Sequence, residues 1–385
     1  MTSVLVTDGL WRKSLSAVRS LGRQDIEVGV TGDSPFTTAF YSRYCRRRVR
    51  LPKATDEAYI DAFLEELSRH RYDVVLPMED DTTQVLLRHR DQVEALSRLP
   101  LPSASSLAVA ADKAATLELA ASLGIAHPWT RRPQSEAELE AILADIPLPA
   151  VVKPVNSSGS RGLHYADTRD QVRAAFRAVL PVYGAPLVQE RIPGGPGLGA
   201  GLLFGPGAEP LAGFTYRRLR EYPVQGGPST LRESTHDPAL LESATRLLEA
   251  LDWFGVAMVE FKLDPRDGVA KLMEINPRFW GSLELANASG VNFPWLLAQT
   301  ALGRAPEPSF DYRDGVRCRW LVPGDILHFL SNPDRFDMDP SFFSFFDGMH
   351  YDDFARDDLR GSVATVVCTA AQAMRPEMWK LAITR

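Results

Sequence analysis

Two short apolar runs in the second half of the chain predict a β-hairpin. They cover residues 256–263 and 269–277, and residues 264–268 between them, Asp-Pro-Arg-Asp-Gly, have the composition of a turn. A hairpin with this turn pairs Glu260 with Glu274 directly across the two strands. The sequence therefore predicts two like charges opposite each other in a sheet.

Opposed carboxylates are unfavourable unless a cation neutralises them. Their repulsion costs up to about 1 kcal/mol in an exposed cross-strand pair and more in a buried one. Asn276 lies two residues beyond Glu274, on the same face of its strand, and adds a neutral oxygen. Because three hard oxygen donors suit magnesium, we predict that Glu260, Glu274 and Asn276 bind Mg²⁺.

The first hundred residues alternate apolar strands with amphipathic helices. Strands are predicted at 4–6, 26–30 and 74–76, and helices at 14–21 and 56–69. Strands separated by helices of this length form a parallel sheet with crossover connections. We therefore predict an α/β fold class, with a Rossmann-like domain over residues 1–102.

The segment after the strand at 74–76 carries two acidic residues, Glu79 and Asp80. Ligands of open α/β sheets bind at the carboxyl ends of the strands, which makes Glu79 a candidate substrate-binding residue. The alternative is that both residues begin a helix, where acidic side chains at the N-cap and first turn are favoured. Both interpretations fit the sequence.

A loop of small residues at 156–162, Asn-Ser-Ser-Gly-Ser-Arg-Gly, follows a predicted strand at 150–154. Its N–H groups and hydroxyls can surround phosphate oxygens. Lys153 precedes the loop in an apolar run, where a lysine is costly to bury unless it meets an anion. Lys113, inside a helix predicted at 103–123, is a second candidate. The alternative for both lysines is a surface position with the charge in water. The predicted nucleotide-binding residues of this region are Lys113, Lys153, Ser157, Ser158, Gly159 and Ser160.

Three arginines between residues 217 and 220 are candidates for substrate recognition. On a strand, Arg218 and Arg220 share one face, whereas Arg217 points the other way. A guanidinium can hold a carboxylate through two parallel hydrogen bonds. We therefore predict that Arg218 and Arg220, with Ser229 nearby, bind a carboxylate substrate. The alternative is an exposed, charged edge strand.

Composition argues against nucleic-acid and membrane partners. The formal net charge is −6, so anionic surfaces do not attract the chain as a whole, and we interpret the basic run at 43–50 as a solvated strand face. No apolar stretch is long enough to span a membrane, and the amino terminus does not resemble a signal peptide. Cys45, Cys318 and Cys368 are widely spaced, which is typical of reduced thiols. We expect a cytoplasmic protein, with a homodimer left open.

Six short motifs follow one another between residues 105 and 300. They are Asp112-Lys113, Val151-Val-Lys-Pro154, Ser158-Gly-Ser-Arg-Gly162, Val188-Gln-Glu-Arg-Ile-Pro-Gly194, Val259-Glu-Phe261 and Met273-Glu-Ile-Asn-Pro-Arg278. In this order they resemble the ATP-grasp superfamily of ADP-forming carboxylate–amine ligases. Each motif alone is weak, but the ordered set is specific. The resemblance implies an ATP-grasp fold, two α+β lobes that clasp ATP, over residues 103–304. It also implies a mobile lid at about 125–190, and residues 305–385 then form a small C-terminal unit.

The resemblance also assigns roles to individual residues. Lys113 and Lys153 would contact the phosphates of ATP beneath the loop at 156–162, and Arg278 would face the transferred phosphoryl group, which makes Lys153 and Arg278 the catalytic residues. The residues that would form the adenine-binding hinge between the lobes are Gln189, Glu190 and Ile192, largely through backbone groups. Glu260, Glu274 and Asn276 would hold one or two Mg²⁺ ions. The family's acidic ribose-binding residue has no counterpart in residues 193–199, so the ribose is held from elsewhere or lacks that contact.

The implied activity is that of an ATP-dependent ligase with ATP and Mg²⁺ as cofactors. Such an enzyme phosphorylates a small carboxylic acid, here an amino acid or peptide, and joins the acyl phosphate to an amine, releasing ADP and phosphate. One alternative is bicarbonate phosphorylation in the manner of biotin carboxylase or carbamoyl-phosphate synthase. Another is a non-catalytic nucleotide sensor, although such a protein has no need of the opposed pair Glu260 and Glu274.

Overall fold

A parallel four-stranded sheet forms the first part of the chain. The computed structural model describes residues 1–155, 162–224, 226–345 and 348–374. The strands are β1 (Ser3–Val6), β2 (Glu27–Gly32), β3 (Cys45–Arg50) and β4 (Val74–Leu76), in the spatial order β3-β2-β1-β4. The helices are α1 (Arg12–Gly22), α2 (Tyr59–Arg69), α3 (Asp80–Arg88) and α4 (Arg90–Glu94). The predicted parallel α/β arrangement of this region is confirmed.

The basic run at 43–50 forms the edge strand β3. Arg46, Arg47 and Arg48 are exposed, while Val49 is buried in the core beneath them. A row of charges on an edge strand discourages pairing with another chain. The interpretation of this run as a solvated strand face is therefore confirmed.

The helix predicted at 103–123 is two helices, α5 (Ala104–Ala111) and α6 (Lys113–Ser122). Asp112 between them has an extended backbone, and its carboxylate accepts hydrogen bonds from the N–H groups of Ala114 and Ala115 at 2.7 and 3.0 Å. The prediction of one continuous helix was wrong because it overlooked this N-cap. The break places Lys113 at the first position of α6.

An antiparallel four-stranded sheet follows. Its strands are β5 (Thr130–Arg131), β6 (Ala150–Lys153), β7 (His164–Ala166) and β8 (Leu187–Glu190), in the order β5-β8-β6-β7. Helices α7 (Glu136–Ile142) and α8 (Arg169–Tyr183) share a buried apolar core with it. Lys153 ends the central strand β6, beside Gln189 on β8.

A seven-stranded sheet carries the predicted hairpin. Its strands are β9 (Gly197–Phe204), β10 (Pro210–Glu221), β11 (Ser229–Thr235), β12 (Gly255–Leu263), β13 (Ala270–Asn276), β14 (Arg317–Arg319) and β15 (His350–Tyr351). Their order is β13-β12-β9-β10-β11-β14-β15, and neighbours are antiparallel except β14 and β15. The associated helices are α9 (Pro238–Glu249), α10 (Leu283–Ser289), α11 (Phe293–Ala301), α12 (Ile326–Ser331) and α13 (Leu359–Ala373). The last two strands show that the segment after residue 305 extends this sheet; the domain boundaries themselves stay predictions.

Buried ion pairs join the segment after residue 350 to the N-terminal sheet. Arg19 of α1 donates from Nε to Asp358 Oδ2 at 2.9 Å, and both side chains are at most 1% exposed. Asp358 also accepts hydrogen bonds from the Ser42 hydroxyl and the Arg43 N–H, each at 2.8 Å. Three donors to this carboxylate therefore come from the N-terminal part of the chain.

The three cysteines are free thiols, as predicted. Cys318 and Cys368 are buried, and Cys45 is half-buried. Burial raises the pKa of Cys45 to about 11, which keeps its thiol protonated at neutral pH. Among the residues that the structure describes, the helices are all too short or too polar to cross a membrane.

Asp358→Asn is expected to lower the free energy of unfolding by about 3–5 kcal/mol, because the substitution leaves the Arg19 guanidinium buried without its countercharge. The neighbouring Asp357 supplies a matched control, since its ion pair with Arg23 is 36–40% exposed. Asp357→Asn should cost less than about 1 kcal/mol. Urea denaturation of both variants measures the difference, and equal losses would contradict the prediction.

Candidate functional site

The two hairpin carboxylates face each other, as predicted. Glu260 pairs with Glu274 in the antiparallel register of β12 and β13. Each carboxylate meets a cation from elsewhere in the chain: Arg218 NH2 lies 2.5 Å from Glu260 Oε2, and Lys113 Nζ lies 3.0 Å from Glu274 Oε2. Two side-chain cations therefore offset the repulsion between the carboxylates.

The two carboxylates differ in how readily they lose a proton. Burial raises the pKa of Glu260, the Glu274 charge adds to this rise, and Arg218 opposes it. Burial acts on Glu274 as well, but Lys113 and Lys153 outweigh it and lower the pKa of that carboxyl. Glu274 is thus the firmer negative charge, and Glu260 gains more from an added cation.

The hairpin has the donors that a magnesium ion requires. Asn276 lies on the same face as Glu274, since its Nδ2 is 3.5 Å from Glu274 Oε1. Across the described ranges, no three His, Cys, Asp or Glu side chains converge, so an ion here would rest on two carboxylates, one amide and the oxygens of its ligand. That donor set fits Mg²⁺, which is commonly held by one or two carboxylates together with phosphate oxygens.

Lys153 is buried beside these carboxylates. Its ammonium donates a 2.8 Å hydrogen bond to Gln189 Oε1, and Gln189 Nε2 donates to the Thr130 hydroxyl at 2.9 Å. Burial, with the charge of Lys113, lowers the pKa of Lys153 to about 8. A polyanion beside the ammonium would stabilise its charged form.

The predicted hinge residues lie at the end of β8, next to this lysine. The side chain of Gln189 positions Lys153, a role that the sequence prediction, which stressed its backbone, did not include. Glu190 is held by Arg266, whose NH2 lies 2.6 Å from Glu190 Oε1. Ile192 is buried. The roles of these three residues in binding adenine stay predictions.

Arg278 and Glu79 belong to a second charged group at the start of α3. Arg278 Nε donates to Asp80 Oδ1 at 2.8 Å, and Glu79 occupies the N-cap position of α3. Glu79 Oε1 lies 2.8 Å from Lys13 Nζ, and Lys13 also donates to the Phe279 carbonyl at 3.1 Å. The structure thus supports the interpretation of Glu79 and Asp80 as the start of a helix.

Arg218 and Arg220 line the same cavity but meet different partners. A β-bulge between them interrupts the alternation that the prediction assumed. Arg218 lies between Glu260 and Glu221, 3.2 Å from the latter, whereas Arg220 NH1 donates to Asp325 Oδ2 at 2.7 Å. The predicted shared face is therefore corrected: the two guanidiniums occupy neighbouring positions along one wall.

Ser229 and the small-residue loop are placed differently from the other predicted residues. Ser229 is buried, and its hydroxyl donates to the Leu231 carbonyl at 3.1 Å. It therefore satisfies the backbone of β11. The predicted phosphate-binding residues Ser157, Ser158, Gly159 and Ser160 lie outside the described residues. The proposed contacts of these five residues stay predictions.

One cavity of about 1280 Å³ connects the two charged groups. Its lining includes the predicted site residues Lys113, Lys153, Arg218, Arg220, Glu260, Glu274, Asn276 and Arg278. The lining also includes His328, Asn332, Met338 and Asp339, from α12 and the segment after it. The site thus brings five of the predicted cations, two opposed carboxylates and a histidine to one opening.

Sequence reasoning missed Lys13 and His328. Lys13 follows the first strand in an amphipathic helix, where a buried lysine looks like an ordinary surface one. His328 lies in a segment with no motif near it. The only sequence signal for Lys13 was the carboxylate of Glu79, which had no apparent partner. No sequence signal pointed to His328.

Comparison with known proteins identifies related sequences. The profile of a family described as "ATP-grasp in the biosynthetic pathway with Ter operon" matches residues 217–322. An uncharacterized protein of Sinorhizobium fredii, y4rH, is 23% identical over 325 residues, which cover 74% of this chain and 65% of that protein. A D-alanine--D-alanine ligase of Mycobacterium ulcerans is 30% identical over 276 residues, which cover 60% of this chain and 69% of the ligase. This chain therefore spans just under two thirds of y4rH and slightly more of the ligase.

The fold also matches solved structures. The biotin carboxylase domain of Hydrogenobacter thermophilus 2-oxoglutarate carboxylase, solved with MgADP, ADP and bicarbonate, has a TM-score of 0.68 to this chain at 13% identity. The match covers 82% of this chain and 73% of that one. It confirms the predicted fold class.

Lys153→Met is expected to raise the free energy of unfolding at pH 7 by roughly 1–3 kcal/mol, because a buried lysine with a lowered pKa costs stability while it is charged. Between its folded pKa of about 8 and its higher unfolded value, the unfolded chain binds more protons. Wild-type stability should therefore rise with pH across that window, and the advantage of the variant should shrink.

Lys271 is the matched control for this prediction. It lies 2.5 Å from Asp264, and the hydrogen bonds that its ammonium donates to Asp264 and Asp267 raise its pKa against the effect of its partial burial. Lys271→Met should therefore lower the free energy of unfolding at pH 7. Urea denaturation at pH 7 and pH 10 separates the two lysines, and a destabilised Lys153→Met at pH 7 would count against the buried-charge argument.

Proposed function

Because this chain belongs to the ATP-grasp superfamily of carboxylate–amine ligases, we propose that it uses ATP to convert a small carboxylic acid into an acyl phosphate and joins that acyl group to an amine. The acid is an amino acid or a short peptide, and the other products are ADP and phosphate. The observation that carries the proposal is the grouping of Lys113, Lys153 and Arg218 around the opposed carboxylates Glu260 and Glu274.

The cation grouping suits phosphoryl transfer. Lys113 and Lys153 would bind the phosphates of ATP, and Glu260, Glu274 and Asn276 would hold Mg²⁺. When bound, magnesium neutralises the phosphates and polarises the group that is transferred. Preorganised charges of this kind stabilise the charge that develops in the transition state without further rearrangement.

The wall near Arg220 suits an anionic substrate group. Arg220 and Arg319 both donate to Asp325 Oδ2, at 2.7 and 2.6 Å. Two guanidiniums that share one carboxylate leave a net positive charge, and Nε of Arg220 is buried without a hydrogen-bond partner in the described structure. A substrate carboxylate at this wall would balance the charge.

Bicarbonate phosphorylation is the second candidate, because the fold matches a biotin carboxylase domain at a TM-score of 0.68.

Phosphate release from MgATP tests the proposal with a panel of D- and L-amino acids, singly and in pairs, with and without bicarbonate. We expect release to depend on a carboxylate and an amine together. Release that depends on bicarbonate alone would select the second candidate. Substrate-independent release, or none under any condition, would reject the ligase function.

Glu274→Gln is expected to reduce magnesium-dependent turnover by at least about 100-fold, a loss typical of removing one transition-state stabilising group, because it replaces the firmer negative charge of the pair with a neutral amide. Asp267→Asn is the control in the same hairpin, since Asp267 is exposed in its turn. Both variants should retain wild-type thermal unfolding to within a few degrees. Near-normal turnover of Glu274→Gln would place the metal elsewhere.

A further inference from the structure

His328, in the short helix α12, lines the cavity of the proposed ATP site. It is buried and contributes to the lining together with Asn332, Met338 and Asp339. All four belong to the segment after residue 305. They share this cavity with the cations of the proposed ATP site.

Hydrogen bonds fix the protonation pattern of the His328 ring. Its Nδ1 is 2.6 Å from the Glu221 carbonyl oxygen, which can only accept, so Nδ1 carries a hydrogen. The Asp334 N–H donates to Asn332 Oδ1 at 3.0 Å, which orients the Asn332 amide so that its Nδ2 faces His328 Nε2 at 3.3 Å. The first contact places a hydrogen on Nδ1, and the second is a hydrogen bond in which Nε2 accepts from the Asn332 amide.

The Asn332 amide, which donates to the lone pair of His328 Nε2, is readily replaced by another donor. A separation of 3.3 Å is longer than usual for an N–H···N contact, and Asn332 is only half-buried. An incoming ammonium is a stronger donor than a neutral amide. Asp339, on the same wall and exposed, adds a negative charge that attracts a cation.

A series of contacts connects His328 to the carboxylates of the hairpin. Arg218 touches both Glu260, at 2.5 Å, and the Glu221 side chain, at 3.2 Å, and the Glu221 carbonyl holds His328. One residue of β10 therefore links the imidazole to the guanidinium beside the proposed metal site. Two other carboxylates of the cavity are already paired with arginines, Glu221 with Arg218 and Asp80 with Arg278.

The attack of the amine on the acyl phosphate, the second half-reaction of the proposed function, requires a base. An aliphatic amine is an ammonium at neutral pH and cannot attack an acyl carbon until it loses a proton. We propose that His328 is a catalytic residue of the second half-reaction, which accepts that proton on Nε2. This inference rests on the proposed ligase function.

The step balances without a further reactant. One N–H bond of the ammonium breaks, and its proton moves to His328 Nε2. The freed lone pair forms the C–N bond with the acyl carbon, and the C–O bond to phosphate breaks with its electron pair leaving on the phosphate. The departing phosphate takes the excess proton of the new amide nitrogen. His328 then returns its proton to water as the product leaves.

Hydroxylamine separates this role from a structural one. It is unprotonated at neutral pH, so it captures an acyl phosphate as a hydroxamate without needing a base. The experiment compares hydroxamate formation with amide formation in His328→Gln. It uses MgATP and those amino acids of the panel that stimulate phosphate release from ATP. Glutamine keeps hydrogen-bonding groups at the site but cannot accept a proton. His89→Gln is the control, since the half-buried His89 is not part of the cavity lining and its ring contacts the Gln92 side chain.

We expect His328→Gln to lose amide formation by about 100-fold or more, the usual contribution of a general base, while hydroxamate formation stays within about twofold of wild type because that reaction bypasses the base. His89→Gln should match wild type in both reactions. Unchanged amide formation would overturn the proposal, and so would an equal loss of both reactions, which would make His328 structural. Failure of the wild type to form any hydroxamate would instead reject the acyl phosphate, and with it the proposed function.

Discussion

Glu260 and Glu274 oppose each other across a half-buried hairpin, and the cation arrangement around them follows from their mutual repulsion. Arg218 reaches Glu260 from β10, and Lys113 reaches Glu274 from the start of α6. The two cations come from segments about a hundred residues apart, so the balance of charge at the hairpin depends on how the large sheet and the helices α5 and α6 are placed. Lys113, one of these two cations, is also a residue that would meet the phosphates of ATP.

Most of the buried charges elsewhere follow the same rule of pairing. Arg220 and Arg319 share Asp325, and Arg232 pairs with Asp352 between the large sheet and the segment after residue 350. Breaking a buried pair is costly because it leaves one uncompensated charge. The excess positive charge at Asp325 stands out against this background, and it lies where an anionic substrate would enter.

Local features of the fold could be predicted from the sequence because their signals are local. The register that pairs Glu260 with Glu274 follows from one turn and strand alternation, and the parallel sheet of the first hundred residues follows from the spacing of apolar runs. The bulge between Arg218 and Arg220 had no such signal, because it depends on how β10 pairs with β11. Lys13 and Glu79 pair with each other although they are 66 positions apart in the sequence, so this ion pair could be found only from the folded chain. His328 was missed for the same reason, since its orientation depends on a hydrogen bond to the Glu221 carbonyl, more than a hundred positions earlier in the sequence.

The Arg19–Asp358 pair bears on the order in which the protein can fold during synthesis. The two residues are 339 positions apart, so α1 leaves the ribosome long before its countercharge exists. N-terminal domains usually fold first as the chain emerges, but here the first helix must wait for the last strands and helix before its guanidinium can be buried with a partner. The strands of the N-terminal sheet all lie before residue 77, but Arg19 can be buried with its partner only after translation has passed residue 358, and until then the first helix carries an unmatched arginine.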